Sequence, residues 1–177
     1  MSDRCLVGIY YLVAFPLAVI LLATSLMVHL ITFWPINIQD RIPIVFLLHI
    51  GIFVLFIPLV FIDRVLVKGP SMAGLGVAKT QPVWMWICYG FIGVYVVFNF
   101  LFFLIAGGGN PESEGGKYWL KNHGEVVREL TRQEYDRESA RILHGFSGHW
   151  LFFYLYIVNA SFLGIKSFKR QGLTELK

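Results

Sequence analysis

The sequence predicts an all-α membrane protein, namely a four-span transmembrane helical bundle with a small α+β extramembrane insertion (a hairpin plus a helix) between spans 3 and 4. Hydrophobic residues make up 56% of the 177 residues and charged residues only 15%, against about 25% charged residues in a typical soluble domain. The apolar residues lie in long runs, whereas residues 107–144 hold seven of the eleven acidic and six of the fifteen basic side chains. A soluble fold of this length would need more polar surface, so the membrane class is favoured.

Each apolar run is long enough to cross the hydrocarbon core, which takes about 20 helical residues. No charged residue occurs between Arg4 and Asp40, so the first run is too long for a signal peptide. Prolines, tryptophans and glycines mark the ends of the runs. The predicted spans are residues 7–34, 43–62, 83–106 and 146–165 of a single polytopic domain, 1–177, with a connector at 63–82.

The insertion, residues 107–144, is expected to fold in water. Gly115 and Gly116 are typical of the end of a flexible linker. Beyond them, apolar β-formers flank Asn122-His123-Gly124, which predicts a β-hairpin over about 118–128. A short helix at 125–130 is the alternative.

The second half of the insertion carries a helix start signal. Thr131 and Glu134 have the spacing of a capping box, which predicts a helix through about Leu143. Its exposed face would carry ion pairs at helical spacing, Glu134–Arg137 and Glu138–Arg141. The aromatic residues of the insertion either contact a partner or form its own small core; they are Tyr118, Trp119 and Tyr135.

Charge in the connecting segments predicts the orientation. Four spans place both termini and the 63–82 connector on one side, with eight basic residues against three acidic ones. The other side has seven basic and eight acidic residues, mostly inside the insertion. Because basic residues in short segments favour the cytoplasm, both termini are predicted to be cytoplasmic and the insertion extracytoplasmic. The scattered bases suit anionic lipid headgroups of the bilayer and form no patch for nucleic acid.

Each predicted span contributes one hydrogen-bonding side chain to a similar depth below the outer boundary. These are His29, His49, Asn99 and His149. Polar groups inside a membrane tend to face the bundle interior. We therefore expect them to meet in one layer, with Asn99 as a polar neighbour of the three histidines.

Two interpretations of this layer stay open. Imidazoles of His29, His49 and His149 are suitable ligands for haem b or for a transition metal, and helical bundles often hold such cofactors. Alternatively, the layer is a hydrogen-bonded device that fixes helix register, with His144 or His149 reaching the lipid headgroups.

One local motif suggests a third chemistry. Gly145-Phe146-Ser147-Gly148 resembles the G-x-S-G pattern around the nucleophile of rhomboid intramembrane proteases, which implies Ser147 as a candidate nucleophile. The resemblance covers four residues, and the rhomboid core has six helices with the base histidine on a later span. Here the candidate bases, His29 and His49, precede the serine. Alternatively, the glycines bend the chain and Ser147 caps the last helix.

The sequence therefore favours a non-enzymatic accessory, scaffold or interaction subunit whose insertion contacts a protein partner. A haem- or metal-binding bundle with a redox role is the alternative, and an intramembrane hydrolase around Ser147 is a minor one.

Overall fold

The computed structural model describes residues 3–62, 83–105 and 108–174. Within these ranges the chain is mostly helical, with four helices long and apolar enough to span a membrane and one three-stranded sheet. The elements in order are α1 (Asp3–Ile31), α2 (Ile38–Arg41), a 3-10 turn (Pro43–Phe46), α3 (Leu47–Phe61), α4 (Val83–Ile105), β1 (Asn110–Glu114), β2 (Lys117–Asn122), β3 (Glu125–Leu130) and α5 (Arg132–Thr174). The predicted helical character and the small insertion are confirmed, and the predicted 63–82 connector lies outside the described residues.

The predicted turn between the first two spans contains one turn of helix, α2. The Asn37 side chain caps it by accepting a hydrogen bond from the backbone N–H of Asp40 at 3.1 Å. The second span then begins as a 3-10 turn at Pro43, where the missing N–H of proline has no helical partner to lose.

Helix α5 is the central element of the fold, and it packs against α1, α3, α4 and the sheet. It runs for 43 residues without interruption. The predicted break between Leu143 and residue 146 is therefore wrong, and so is the prediction that Ser147 caps a new helix. Glycine lowers helix propensity by only about 1 kcal/mol, which tertiary packing can offset.

The glycines of α5 allow α4 to approach closely. A Cβ atom on Gly145 would lie within 3 Å of the Phe103 ring, and one on Gly148 would collide with the Asn99 side-chain amide. Small residues at helix contacts let neighbouring backbones come near each other in membrane bundles. The two glycines thus serve the α4–α5 contact, and the helix continues through both.

Large side chains of α5 fill the core between the long helices. Trp150, Tyr154 and Ile157 are fully buried, and α1 presents the small residues Ala14 and Ala18 to the same core. Burial of such side chains is the main source of packing energy. By contrast, Asn99 is the only buried residue of α4 as described, and most of the apolar surface of this helix is exposed.

The insertion is a three-stranded antiparallel sheet in the order β1-β2-β3. The predicted hairpin is confirmed: β2 and β3 are joined by His123 and Gly124, with φ of 50° and 87°. β1 was not predicted, and the linker assigned to Gly115 and Gly116 is wrong. With φ of 60° and 78°, these glycines form the two-residue turn between β1 and β2, because two consecutive positive φ values suit a tight hairpin turn.

The sheet and the first turns of α5 share a small core of their own. Leu120, Leu130 and Tyr135 are buried, and the Tyr118 ring stacks on Tyr135 at 4.6 Å between centroids. Trp119, on the adjacent position of β2, is half-buried and lies under the Lys117 ammonium group. Two of the three aromatic residues of the insertion therefore belong to its core.

The predicted capping box is confirmed at the start of α5. The Thr131 N–H donates to the Glu134 carboxylate at 2.8 Å, and the Glu134 N–H donates to the Thr131 hydroxyl at 3.3 Å. The hydrogen bond from the Thr131 N–H, helped by the Thr131 hydroxyl and by Arg128, lowers the pKa of Glu134 to about 2.

Only one of the two predicted ion pairs on α5 forms. The Glu138–Arg141 pair is confirmed at 2.7 Å. The Glu134–Arg137 pair is wrong, because the Glu134 carboxylate points back to Arg128 on β3 at 2.8 Å. Arg137 has no ion pair within the described residues.

The close α4–α5 contact leads to a prediction for the glycines. Gly148→Ala and Gly145→Ala should each lower the free energy of unfolding by about 1–3 kcal/mol, the usual cost of overpacking. Gly90→Ala is the matched control, since a Cβ there meets nothing within 4 Å, and it should leave stability unchanged or raise it slightly. Denaturant titration in detergent micelles measures all three. Equal stability of the three variants would contradict the close contact.

Candidate functional site

Polar residues of the other three long helices, α1, α3 and α4, meet α5 within one short stretch, residues 144–150. At 1.5 Å per residue this stretch spans about 9 Å along the helix axis. The structure sorts the polar side chains into two groups rather than one. The Ser–His cluster consists of His29, Thr32, Tyr95, His144 and Ser147, and the His–Trp cluster consists of His49, His149 and Trp150.

The Ser–His cluster joins α1, α4 and α5 by hydrogen bonds. His29 Nδ1 lies 2.7 Å from the Ser147 hydroxyl, and His29 Nε2 contacts the Tyr95 hydroxyl. The His144 ring stacks on the His29 ring at 4.4 Å between centroids, and its Nδ1 lies 2.8 Å from the Thr32 hydroxyl. Because His29, Thr32 and Ser147 are buried, each depends on the others for its hydrogen bonds.

The position of one proton in this cluster follows from Thr32. Its hydroxyl donates to the carbonyl of His29 at 2.6 Å, and a carbonyl can only accept. The Thr32 oxygen must therefore accept from His144, so the Nδ1 atom of His144 carries the proton. His144 Nε2 then faces the Tyr95 hydroxyl at 3.5 Å as an acceptor.

His29 satisfies its neighbours in two proton arrangements. In one, the Ser147 hydroxyl donates to His29 Nδ1, and His29 Nε2–H donates to Tyr95. In the other, Ser147 donates to the carbonyl of His144 at 3.2 Å and accepts from His29 Nδ1–H, and the Tyr95 hydroxyl donates its one proton to His29 Nε2 instead of to His144 Nε2. In both arrangements the imidazole is neutral and uses both of its nitrogens.

Asn99 connects α4 to the part of α5 that carries the Ser–His cluster. Its side-chain amide donates to the backbone carbonyls of His144 and Gly145 at 3.1 and 3.4 Å. A carbonyl oxygen has two lone pairs and can accept this bond beside its own helical one. Asn99 reaches these carbonyls because Gly148 has no side chain in the way. It is therefore a structural link between α4 and α5.

The His–Trp cluster joins α3 to α5. The Trp150 indole donates to His49 Nδ1 at 3.1 Å, and His149 Nε2 lies 3.3 Å from the same nitrogen. Since an indole N–H can only donate, His49 Nδ1 is an acceptor and the proton of His49 lies on Nε2. His144 and His149 are five residues apart, about 140° around the helix, so the two clusters lie on different faces of α5.

The geometry does not favour the cofactor role assigned to His29, His49 and His149. A metal ion between two imidazoles needs about 4 Å between their nitrogens, whereas His149 Nε2 lies 3.3 Å from His49 Nδ1, and His29 belongs to the other cluster. The lone pair of His49 Nδ1 already accepts from Trp150. Within the described ranges, no group of three or more His, Cys, Asp or Glu side chains could hold a metal ion.

Ser147 has one feature of a nucleophile, namely its 2.7 Å contact with His29. It is fully buried and lies inside α5, more than ten residues from either end of the helix. Backbone N–H groups within a helix are already bonded to carbonyls one turn earlier. An oxyanion therefore finds no free backbone donor beside Ser147, unlike the usual site for acyl transfer.

Sequence reasoning missed two members of the clusters, His144 and Trp150. The prediction places His144 in the insertion or at the headgroups, because the last span is predicted to begin after it. Trp150 carries an apolar body that is usual in any span, so it does not stand out. Tyr95 is four residues from Asn99, and this spacing predicts that both lie on one inward face of α4.

Comparison with known proteins does not add a family to this geometry. No family model, curated protein or solved structure matches the chain. Its function is therefore inferred from its own residues.

The Ser–His cluster leads to a stability prediction for Ser147. Ser147→Ala leaves His29 Nδ1 without its partner in the protein interior and should lower the free energy of unfolding by about 1–2 kcal/mol. Ser161→Ala is the control, because Ser161 is equally buried on the same helix and its hydroxyl has no hydrogen-bond partner among the residues that the structure describes. Denaturant titration of both variants should show a loss for Ser147 alone. A loss of the same size for both would contradict the role of the cluster.

Proposed function

We propose that the chain is a multi-pass integral membrane protein that acts as a non-enzymatic accessory or interaction subunit, with its insertion contacting a protein partner. The observation that carries the proposal is the continuity of α5, which runs from the sheet directly into the bundle core. A rigid helix of this kind holds a small binding module at a fixed height and orientation.

The exposed apolar surface of α4 supports the bilayer as the environment. Phe91, Phe98 and Ile105 are each about two thirds exposed or more. A surface of this kind on a water-soluble protein would promote association, whereas acyl chains cover it without cost. The lipid bilayer is therefore the first partner that we propose.

The distribution of basic residues supports the orientation, with both termini in the cytoplasm and the insertion outside. In a background where Cys5 and Cys88 are replaced, Ser113→Cys on β1 should react with a membrane-impermeant maleimide in intact cells. Lys166→Cys, at the opposite end of α5, should react only after the cells are permeabilised. Both side chains are exposed, so accessibility within the protein is matched. The reverse labelling pattern would overturn the orientation.

The outer edge of β3 is the part of the insertion best suited to a partner. Val126 and Val127 are both 55% exposed and lie side by side. Across the sheet, β1 carries Pro111, Glu112 and Glu114, which are residues that protect an edge strand from pairing. β3 also carries charged residues, but Val126 and Val127 form an exposed apolar pair that β1 does not have, and we assign the protein contact to this pair.

Site-specific crosslinking tests this contact. A photoreactive residue at Val127 should give a discrete protein adduct in native membranes, identifiable by mass spectrometry, while the same residue at Ser113 should not. Val126→Thr in the Val127 crosslinking variant should reduce the yield several-fold, because it removes apolar contact area. An adduct of equal yield at both positions, or lipid adducts alone, would contradict a specific protein contact at β3.

One observation favours a second candidate function, a serine hydrolase. Ser147 and His29 are within hydrogen-bond distance, as a nucleophile and its base are. The buried position of Ser147 opposes this function, since a substrate must reach the hydroxyl. Labelling of Ser147 by a fluorophosphonate, lost in His29→Gln, would establish the hydrolase and overturn the non-enzymatic proposal.

A further inference from the structure

A cavity of about 400 Å³ lies where the end of α1, the end of α4 and the third turn of α5 meet. Its walls combine two chemistries. Aromatic side chains from α4 and the segment after α1 form one part, and the guanidinium groups of Arg137 and Arg141 form another. None of the residues that line the cavity is acidic.

Arg141 has a donor that the protein does not use. Its Nε atom bonds to Glu138 at 2.7 Å, and its guanidinium lies over the Phe103 ring at 5.9 Å. Its Nη1 atom is buried and has no hydrogen-bond partner among the described residues. A buried donor of a charged group without a partner is costly, so an acceptor in the cavity would stabilise it.

Arg137 supplies a second, uncompensated positive charge. Its side chain is exposed and forms no ion pair in the described part of the chain, although other arginines of the insertion pair with carboxylates. Arg137 and Arg141 are four residues apart on α5, so they lie on one face of the helix. Glu138 neutralises one of the two charges, and the cavity retains a net positive charge.

The other side of the cavity suits an apolar chain. Phe33, Trp34 and Phe102 line it and are each 60–66% exposed. They lie at the ends of the apolar runs of α1 and α4, where tryptophan is common at membrane interfaces. A ligand with an anionic head and an acyl chain could satisfy both parts of the cavity at once.

We propose that this cavity binds the phosphate headgroup of an anionic membrane lipid, with the phosphate on Arg137 and Arg141 and the acyl chain along Phe33 and Phe102. The inference rests on the proposed membrane location and is independent of the proposed protein partner. Arginine is well suited to phosphate because its planar donors match two phosphate oxygens. A zwitterionic choline lipid fits less well, because its cationic group would approach two guanidinium groups.

Native mass spectrometry of the purified full chain in detergent tests the site. Phosphatidylglycerol should bind about tenfold more tightly than phosphatidylcholine with the same acyl chains, because both present a phosphate but only the choline lipid brings a cation close to the two guanidinium groups. Arg141→Gln and Arg137→Gln should each abolish most of this preference. Arg41→Gln is the control, because Arg41 is exposed, has the same charge and does not line the cavity; this variant should keep the preference.

Several results would overturn the proposal. Equal affinity for the two lipids would do so, and so would equal effects of Arg137→Gln and Arg41→Gln. Arg137 is exposed, so its variant remains informative even where Arg141→Gln fails to fold. If equimolar inorganic phosphate displaces the lipid, the site is one for free phosphate. Failure of the membrane location itself would appear in the cysteine labelling, which separates the two proposals.

Discussion

The arrangement of the other long helices depends on the hydrogen bonds that they make with one stretch of α5, from His144 to Trp150. Apolar side chains allow helices to slide or rotate against each other, whereas a hydrogen bond between two helices fixes their relative translation and rotation. α1 is held through His29 and Ser147, α4 through Asn99, and α3 through His49 and Trp150. One stretch of α5 therefore sets the register of three neighbours.

The same helix connects this layer to the insertion. Because α5 continues through Gly145 and Gly148, one uninterrupted helix joins the sheet to the bundle core. A second tie lies at the α1–α3 connection, where the Tyr135 hydroxyl donates to Asp40 at 3.2 Å and Arg132 lies 3.7 Å from the same carboxylate. The insertion is thus attached to the bundle at two points.

The sequence was sufficient for features that depend on local chemistry. Runs of apolar residues, the Asn122-His123-Gly124 turn and the Thr131–Glu134 capping box each act over a few residues, and the structure contains all of them. Features that depend on distant contacts were not predictable. A pair of glycines is as typical of a linker as of a turn. Gly115 and Gly116 form a turn because β1 and β2, on either side of them, pair with each other.

The continuity of α5 and the separation of the polar side chains into two clusters also depend on distant contacts. Gly145 and Gly148 normally favour a break, and their reason for being helical lies on α4, in Phe103 and Asn99. Spacing along each helix placed His29, His49 and His149 at a common depth, but depth alone does not say which side chains meet. That depends on rotation of each helix, which the packing of Trp150 and other large residues decides.

The two clusters differ from the cavity lined by Arg137 and Arg141 in whether their hydrogen-bonding groups already have partners. In the Ser–His cluster, His29 uses both ring nitrogens, and the Asn99 amide is engaged with two carbonyls. Arg141, which lines the cavity beside it, has a buried Nη1 donor without a hydrogen-bond partner in the described part of the chain. A satisfied network contributes rigidity, while an unsatisfied charged donor favours a ligand. The histidine side chains therefore act on each other and on neighbouring helices, whereas the guanidinium groups of Arg137 and Arg141, one to two turns before His144, are the groups to which we assign the proposed ligand.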